Sequence, residues 1–307
     1  MKYADTDIVI DESLLNRIEE KKRRLDSLRP LEKDSLQKLL EDIRIRHTYH
    51  SDAIEGNTLT LQETKLVLEE GITIGGKPLK DHIEAKNDAE AFDLMIKLSN
   101  EKQDITQDII QQIHEIVTKG TLKSSGKYRT ENVRIAGSKT SPPSYSRILK
   151  LMEEIISEVN SLKLHPIKMA AFIHFRLVAI HPFLDGNGRV ARLITNLYLI
   201  SKGYPPIVLK KEDRCKYYFV LQKADNGDLS PFAGFISRAV NESLMTYLSN
   251  FVKDDYLIPL KELAKKSPYS QEYLSLRARQ SRLDSVKQGN VWYSSKRALN
   301  QYLKNLR

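Results

Sequence analysis

The sequence predicts an all-α protein carrying a small β-hairpin and a short mixed module at its C-terminal end. Three observations carry this. Apolar residues recur at helical spacing in nearly every periodic segment. No strand–helix–strand alternation of the kind that builds a parallel sheet is present. Two strongly apolar helical segments flank the stretch IHPFLDGNGRVAR, residues 180–192, which reads as the linker between two core helices.

Taken in order, Leu36, Leu39, Leu40, Ile43 and Ile54 share one face of a helix ending at Gly56, a residue suited to the left-handed position after a helix. Thr60 and Glu63 form a capping box that opens the next helix, closed by Gly71. Helical patterns follow over about Ile83 to Leu98, Thr106 to Thr118 and Ser146 to Leu162. Between the last two, Tyr128 to Tyr145 holds short β-favouring pieces with Gly137, Pro142 and Pro143, and predicts the hairpin. A helix from Pro166 to about Ile180 is apolar nearly all round and therefore central. The next begins near Asn187 and stops at Gly203, before Pro205 and Pro206.

A chain of 307 residues, 40% hydrophobic and 29% charged, can bury one large or two modest cores, since single cores stop growing near ~250–300 residues. No apolar run approaches the ~20 residues of a membrane span. Acids stand in MKYADTDIVIDESLL where a secretory signal would be apolar, so a cytoplasmic location is expected. Cys215 is the only cysteine, which excludes an intramolecular disulfide and a cysteine-rich zinc site; a half-buried thiol beside a helix is expected. The net charge of +9 is uneven: Tyr256 to Arg307 holds 11 Lys and Arg against 3 Asp and Glu, a net of +8. Three regions are expected: 1–100, a helical core over 101–253, and a basic module over 256–307.

The loop at 181–192 gathers chemistry. Gly186 and Gly188 let successive N–H groups face one point, and that anion nest opens into a helix N-terminus with its positive dipole end. Arg189 and Arg192 lie in the first turns of the same helix, so the site favours a polyphosphate. Asp185 would repel phosphate unless a divalent cation lay between them, which argues for Mg²⁺. His181 is the one group in the loop with a pKa near neutrality, suited to a general base. Taken as a Gly-rich loop alone, the stretch also fits a tight turn in which Asp185 and Asn187 cap and the arginines are solvated.

His181, Phe183, Asp185, Gly186, Asn187, Gly188, Arg189 and Arg192 together stand as HxFx(D/E)GNGRxxR. By that signature the chain resembles the Fic family, and the likeness extends from about Leu36 to Leu248. The resemblance implies a Fic-fold helical core that transfers AMP from ATP to a Ser, Thr or Tyr hydroxyl of a protein, with release of pyrophosphate. It implies His181 as base, Asp185 holding Mg²⁺ on the phosphates, and the amides of Gly186, Asn187 and Gly188 binding phosphate. Arg189 would assist and Arg192 would hold the γ-phosphate. Val133, Arg134, Ile135 and Ala136 would form a flap that aligns the target chain, with Tyr217 and Asp225 around the adenine. Asp225 stands where relatives commonly have asparagine.

Glu55 lies in a last helical turn, where the macrodipole disfavours an acid, so it requires a cation. The stretch SDAIEGN, with Ser51, Glu55 and Gly56, resembles the (S/T)xxxE(G/N) inhibitory motif of the family and implies autoinhibition by a helix over about 36–56, through a Glu55–Arg192 pair. In some relatives the same glutamate serves removal of AMP, so a deAMPylase is the alternative. The resemblance also implies homodimers and self-modification. His47, His50, His82, His114, His165 and His174 read as packed or surface histidines.

In the tail, a short helix from about Leu260, a helix capped by Ser270, two strands around Gly289 and Asn290, and a helix from Ser295 look like a winged helix-turn-helix. Arg277, Arg279, Arg282 and Lys287 would then contact DNA, and Trp292 would be core. The alternatives are a protein-contact module, or a DNA-binding regulator whose body senses nucleotide.

Overall fold

A computed structural model describes residues 7–135 and 140–305 of the chain. The helices are α1 (Glu12–Ser27), α2 (Lys33–Glu55), α3 (Leu61–Glu69), α4 (Leu79–Asn100), α5 (Gln107–Thr118), α6 (Ile148–Ser161), α7 (Pro166–Ile180), α8 (Asn187–Ser201), α9 (Arg214–Asp225), α10 (Ser230–Phe251), α11 (Leu260–Ala264), α12 (Gln271–Arg279) and α13 (Lys296–Lys304). The strands are β1 (Ile258–Pro259), β2 (Val286–Gln288) and β3 (Val291–Ser294). The molecule is mainly helical, and no helix among the described residues is long and apolar enough to cross a membrane.

Local chemistry sets the helix ends. The Thr60 side chain accepts from Glu63 N while Glu63 accepts from Thr60 N, closing the expected capping box at α3. Thr106, Ser270 and Ser295 cap α5, α12 and α13 in the same way, each hydroxyl replacing an intrahelical acceptor that the first turn lacks. Helices α1, α9 and α10 were not anticipated. In α1 the buried stripe Leu14, Ile18, Lys21 and Leu25 is helical in spacing, but it is diluted by charged neighbours and includes a lysine.

The contacts divide the chain into two compact units, one chiefly of Glu41–Lys202 and Val208–Ile236, the other of Ile10–Leu40, Gly203–Ile207 and Ser237–Arg307. At the centre of the first, α7 packs along α8, and α4 lies against α5 and α8. Ala170, Phe172 and Ile173 of α7 and Leu193, Ile194 and Leu197 of α8 are wholly buried. Each large apolar side chain buried in this way contributes about 1.5–3 kcal/mol. The two helices that carry the loop are thus held by the unit's central core.

In the second unit the sheet order is β1-β3-β2, all antiparallel, with Val286 opposite Tyr293 and Ile258 opposite Ser294. Leu260, Leu263, Leu274, Leu283 and Leu299 form its core, with Trp292 packed against them. Asp284 is buried and binds Arg17 Nε at 3.0 Å, Lys21 Nζ and Asn241 Nδ2 at 3.0 Å, tying the C-terminal segment to α1 and α10. Burial opposes its charge, but Lys21 and Arg17 hold its carboxyl below the usual carboxylate range.

Two expectations are corrected. Cys215 is exposed, because α9 buries Tyr217, Val220, Leu221 and Ala224 on another face. No strand forms over the described part of 128–145: Pro142 and Pro143 cannot donate to a ladder, and Arg129 takes the carbonyls of Glu131 and Pro143 for its own guanidinium. Val133, Arg134 and Ile135 belong to no strand among the described residues, and Ala136 and Gly137 lie outside them.

Replacing Asp284 by Asn leaves Lys21 buried without its counter-charge. The expected outcome is a loss of roughly 3–5 kcal/mol in unfolding free energy, measured by denaturant titration. Because the folded-state pKa of Asp284 is depressed, its contribution is present above the ordinary carboxylate range and fades as pH falls through the folded value.

Candidate active site

The site is built where α7 ends and α8 begins. His181 follows α7 in the left-handed conformation, φ 52° and ψ 59°, a strained state for a non-glycine that costs about 1–3 kcal/mol and persists only when its surroundings impose it. Those surroundings are visible. His181 N donates to Leu177 O at 3.0 Å, Arg129 Nε donates to His181 O at 2.8 Å, and Arg129 N donates to Pro182 O at 2.9 Å. The imidazole Nδ1 lies 3.3 Å from Val178 O. A carbonyl can only accept, so Nδ1 carries the hydrogen and Nε2 is left with a lone pair. Burial lowers the His181 pKa, ahead of the opposing effect of the Val178 carbonyl, so the ring is held in the neutral form a base requires.

Beneath the loop, Phe183 is wholly buried and stacks on His114 with centroids 3.7 Å apart. Gly126 N donates to His114 Nδ1 at 2.9 Å, which leaves His114 Nε2–H to donate to Asp185 O at 3.1 Å. Burial holds His114 neutral, with a pKa lowered to about 4. Asn187 clamps the turn, accepting from Phe183 N and donating to Phe183 O, both at 2.9 Å. Gly186 is left-handed, φ 77°, and a side chain there would meet Thr118 Cγ2 at 2.9 Å. The loop is therefore fixed by buried groups below it, and the Gly186 amide donates to Asp185 Oδ1 at 2.6 Å.

An acid already occupies the N-terminal turn of α8. A methyl group at Gly188 would collide with Glu55 Oε1, which lies over the first turn of α8. Glu55 Oε1 accepts from Arg192 Nη2 at 2.7 Å, and Arg192 also donates to Ser51 Oγ and Ser51 O, both at 2.9 Å. Arg192 is 2% exposed, and its Nη1 is buried with no hydrogen-bond partner among the described residues. Burial works against its charge, yet Glu55, first among its neighbours, raises its pKa above the usual guanidinium value.

Arg189 points elsewhere. It is 2% exposed and faces acids: Glu84 Oε1 at 3.1 Å, Asp185 Oδ2 at 3.6 Å and Asp52 Oδ1 at 4.0 Å. Neither oxygen of buried Asp52 has a hydrogen-bond partner among the described residues. Burial, then Asp88, raise its pKa well above the usual carboxylate range. Sequence reasoning passed over Asp52 and Arg129, and read His114 as a packed or surface histidine; it is wholly buried, stacked beneath the loop.

Tyr217 is buried at 2% exposure among Phe232 and Phe235, and its hydroxyl donates to His174 Nε2 at 2.8 Å. The neighbouring Tyr218 presents the exposed ring. Asp225 is half-buried, and burial raises its pKa against a side-chain hydrogen bond with Thr140. Among the described residues no three His, Cys, Asp or Glu side chains gather to hold a metal ion. The donor set instead fits a cation shared with a ligand: Asp185, 55% exposed before the α8 N-terminus, supplies one carboxylate, and Mg²⁺ commonly takes one or two carboxylates plus phosphate oxygens.

In the C-terminal unit Arg279, Arg282 and Lys287 are exposed. Arg277 is half-buried, with its guanidinium over the Tyr273 ring at 4.6 Å and bonded to Gln280.

A loop of this geometry between two buried helices, with its full signature, defines a class, and the chain belongs to the Fic/DOC family. The family model matches residues 104–199. The chain is 34% identical over 253 residues to the Protein adenylyltransferase Fic of Drosophila virilis, covering 80% of this chain and 51% of that protein. It is 33% identical over 244 residues to that of Nematostella vectensis, covering 78% and 57%. The chain therefore spans about half the length of the curated relatives it matches. Fic-1 from C. elegans aligns with a TM-score of 0.69 at 31% identity, covering 77% of this chain and 72% of that one. A Fic domain containing signaling protein from Bacteroides thetaiotaomicron aligns at 0.71 and 28%, covering 76% and 96%.

Replacing Asp52 by Asn keeps its shape and removes a poorly supported charge. Since its folded-state pKa is raised, the ionised carboxylate weakens folding as pH rises above the ordinary carboxylate range. Asp52→Asn is therefore expected to stabilise the protein by ~1–3 kcal/mol, with a gain that grows with pH. Thermal unfolding across a pH series checks it.

Proposed function

We propose that this chain transfers AMP from ATP to a hydroxyl of a protein, and that Glu55 holds the activity down. The observation that carries the reading is the carboxylate of Glu55 over the α8 N-terminus, bonded to Arg192, beside the unpartnered Nη1 of the same guanidinium. A helix N-terminus with a buried, incompletely bonded arginine binds an anion, and here a side chain of the protein takes that place. Relatives 33–34% identical to this chain are named protein adenylyltransferase Fic.

In the reaction, His181 Nε2 accepts the proton of a Ser, Thr or Tyr hydroxyl as its oxygen bonds to the α-phosphorus. The bond from that phosphorus to the bridging oxygen breaks, and pyrophosphate leaves. The amides at Asn187 and Gly188 and the α8 dipole would meet the phosphate oxygens, joined by the Gly186 amide once it leaves Asp185 Oδ1, and Arg192 receives the γ-phosphate once Glu55 withdraws. Asp185 would hold Mg²⁺, which supplies neutralisation of charge on the phosphates when bound. Arg189, turned toward Glu84 and Asp52, steadies Asp185 from behind.

In cell lysate, α-labelled ATP is expected to label protein while γ-labelled ATP does not. Glu55→Gly is expected to raise labelling on the order of 10²-fold, the scale of an alignment defect. His181→Ala should lower it by ~10²–10⁴-fold, the scale of general base catalysis, with ATP affinity retained. Labelling that persists without His181 overturns the base assignment, and loss of label from an adenylylated protein in the wild type would favour AMP removal.

For the C-terminal segment, the exposed Arg279, Arg282 and Lys287 and the β2–β3 hairpin after a helix pair support DNA contact through phosphates in a winged-helix manner. The full chain is expected to retard duplex DNA at low salt, with retention falling steeply as salt rises. Retention unchanged by the triple substitution of these residues with Ala would refute it.

A further inference from the structure

The inhibitory reading rests on Glu55 staying over α8, yet Glu55 occupies a helix end that is electrostatically hostile to it. The last turn of α2 contains no basic residue, and the partial negative charge of its carbonyls adds to the carboxylate. The backbone groups of that turn can be accounted for one by one. Gly56, φ 105°, follows the helix; Gly56 N donates to Ala53 O at 3.3 Å and Asn57 N donates to Asp52 O at 3.0 Å. This pair is the Schellman arrangement, and it satisfies two of the terminal carbonyls. The carbonyl of Ile54, the residue before Glu55, is taken by a side chain from a distant element: Arg214 Nε, at the start of α9, donates to it at 2.7 Å. The guanidinium of Arg214 also lies over the Tyr218 ring at 4.9 Å, which fixes its orientation.

We propose that Arg214 is a positioning residue of the brake: by capping the last turn of α2 it supplies the cation that this helix end lacks and holds the backbone from which Glu55 reaches Arg192. Arg214 bonds the main chain, so it acts on the register of the turn and leaves the Glu55 carboxylate to Arg192. Ile54 is wholly buried and Ser51 is 1% exposed, so the turn is fixed by packing from within as well. Arg214 therefore governs the final residues of the turn and has no part in whether α2 docks.

The inference builds on AMP transfer restrained by Glu55, so its test has one readout that depends on that activity and one that does not. Amide hydrogen exchange is measured first, on the full chain. Arg214→Ala is expected to speed exchange of the Gly56 and Asn57 amides about two- to fivefold, the range of a cation at a helix C-terminus. Arg214→Lys, which keeps a cation within reach of the carbonyl, should restore most of the protection. Unchanged exchange in Arg214→Ala overturns the proposal whether or not the chain transfers AMP. Labelling from α-labelled ATP is the second readout. Arg214→Ala is expected to raise it several-fold in the wild-type background and leave it unchanged in the Glu55→Gly background, because the brake is already absent there. An equal rise in both backgrounds, or a fall in Glu55→Gly, would assign Arg214 to the nucleotide and overturn the positioning role. A Glu55→Gly protein that labels no more than wild type rejects the functional reading, while faster exchange still supports the cap.

Discussion

The site depends on one buried guanidinium. Arg192 projects from α8 into a region from which water is excluded, and a charge placed there needs both a counter-ion and acceptors for its N–H groups. Ser51 supplies two acceptors and Glu55 the charge. All three contacts reach from α8 to α2, so the requirement to neutralise one arginine brings the end of α2 over the mouth of the loop. An unpaired buried guanidinium would cost several kcal/mol, and the Glu55–Arg192 pair is thus part of what makes the folded chain stable.

The loop is rigid for a different reason. The groups that fix it are buried side chains and its own backbone. His114 and Phe183 stack under it, Asn187 closes it on both sides of Phe183, and Arg129 grips the carbonyl of strained His181. Both histidines nearest the loop are kept neutral by burial, and the carbonyl or amide each one bonds settles its tautomer. His114 thereby becomes a strut with both ring nitrogens bonded, while His181 keeps Nε2 open.

Behind the loop the charges are less evenly matched. Arg189 faces Asp52, Glu84 and Asp185, and among the described residues Asp52 finds no hydrogen bond for either oxygen. Such an arrangement gives up stability, in contrast to the well-bonded Asp284 of the other unit. The difference follows from the number of acids around one arginine.

The sequence by itself determined the helical class, most helix ends and the loop. These rest on short-range rules: a Thr or Ser side chain caps its own first turn, Gly56 permits its own left-handed bond, and the spacing from His181 to Arg192 lies within two helices and their linker. The oddity of Glu55, an acid at a helix C-terminus, was legible for the same reason. Tertiary structure alone decided which cation answers it in space and that Arg214 caps the Ile54 carbonyl. It also decided that Arg189 turns inward to Glu84, that Tyr217 is buried beside exposed Tyr218, and that Asp284 ties a basic segment to α1. Each of these pairs partners distant along the chain, and pairing at that range is fixed by packing and desolvation, which no local pattern of residues encodes.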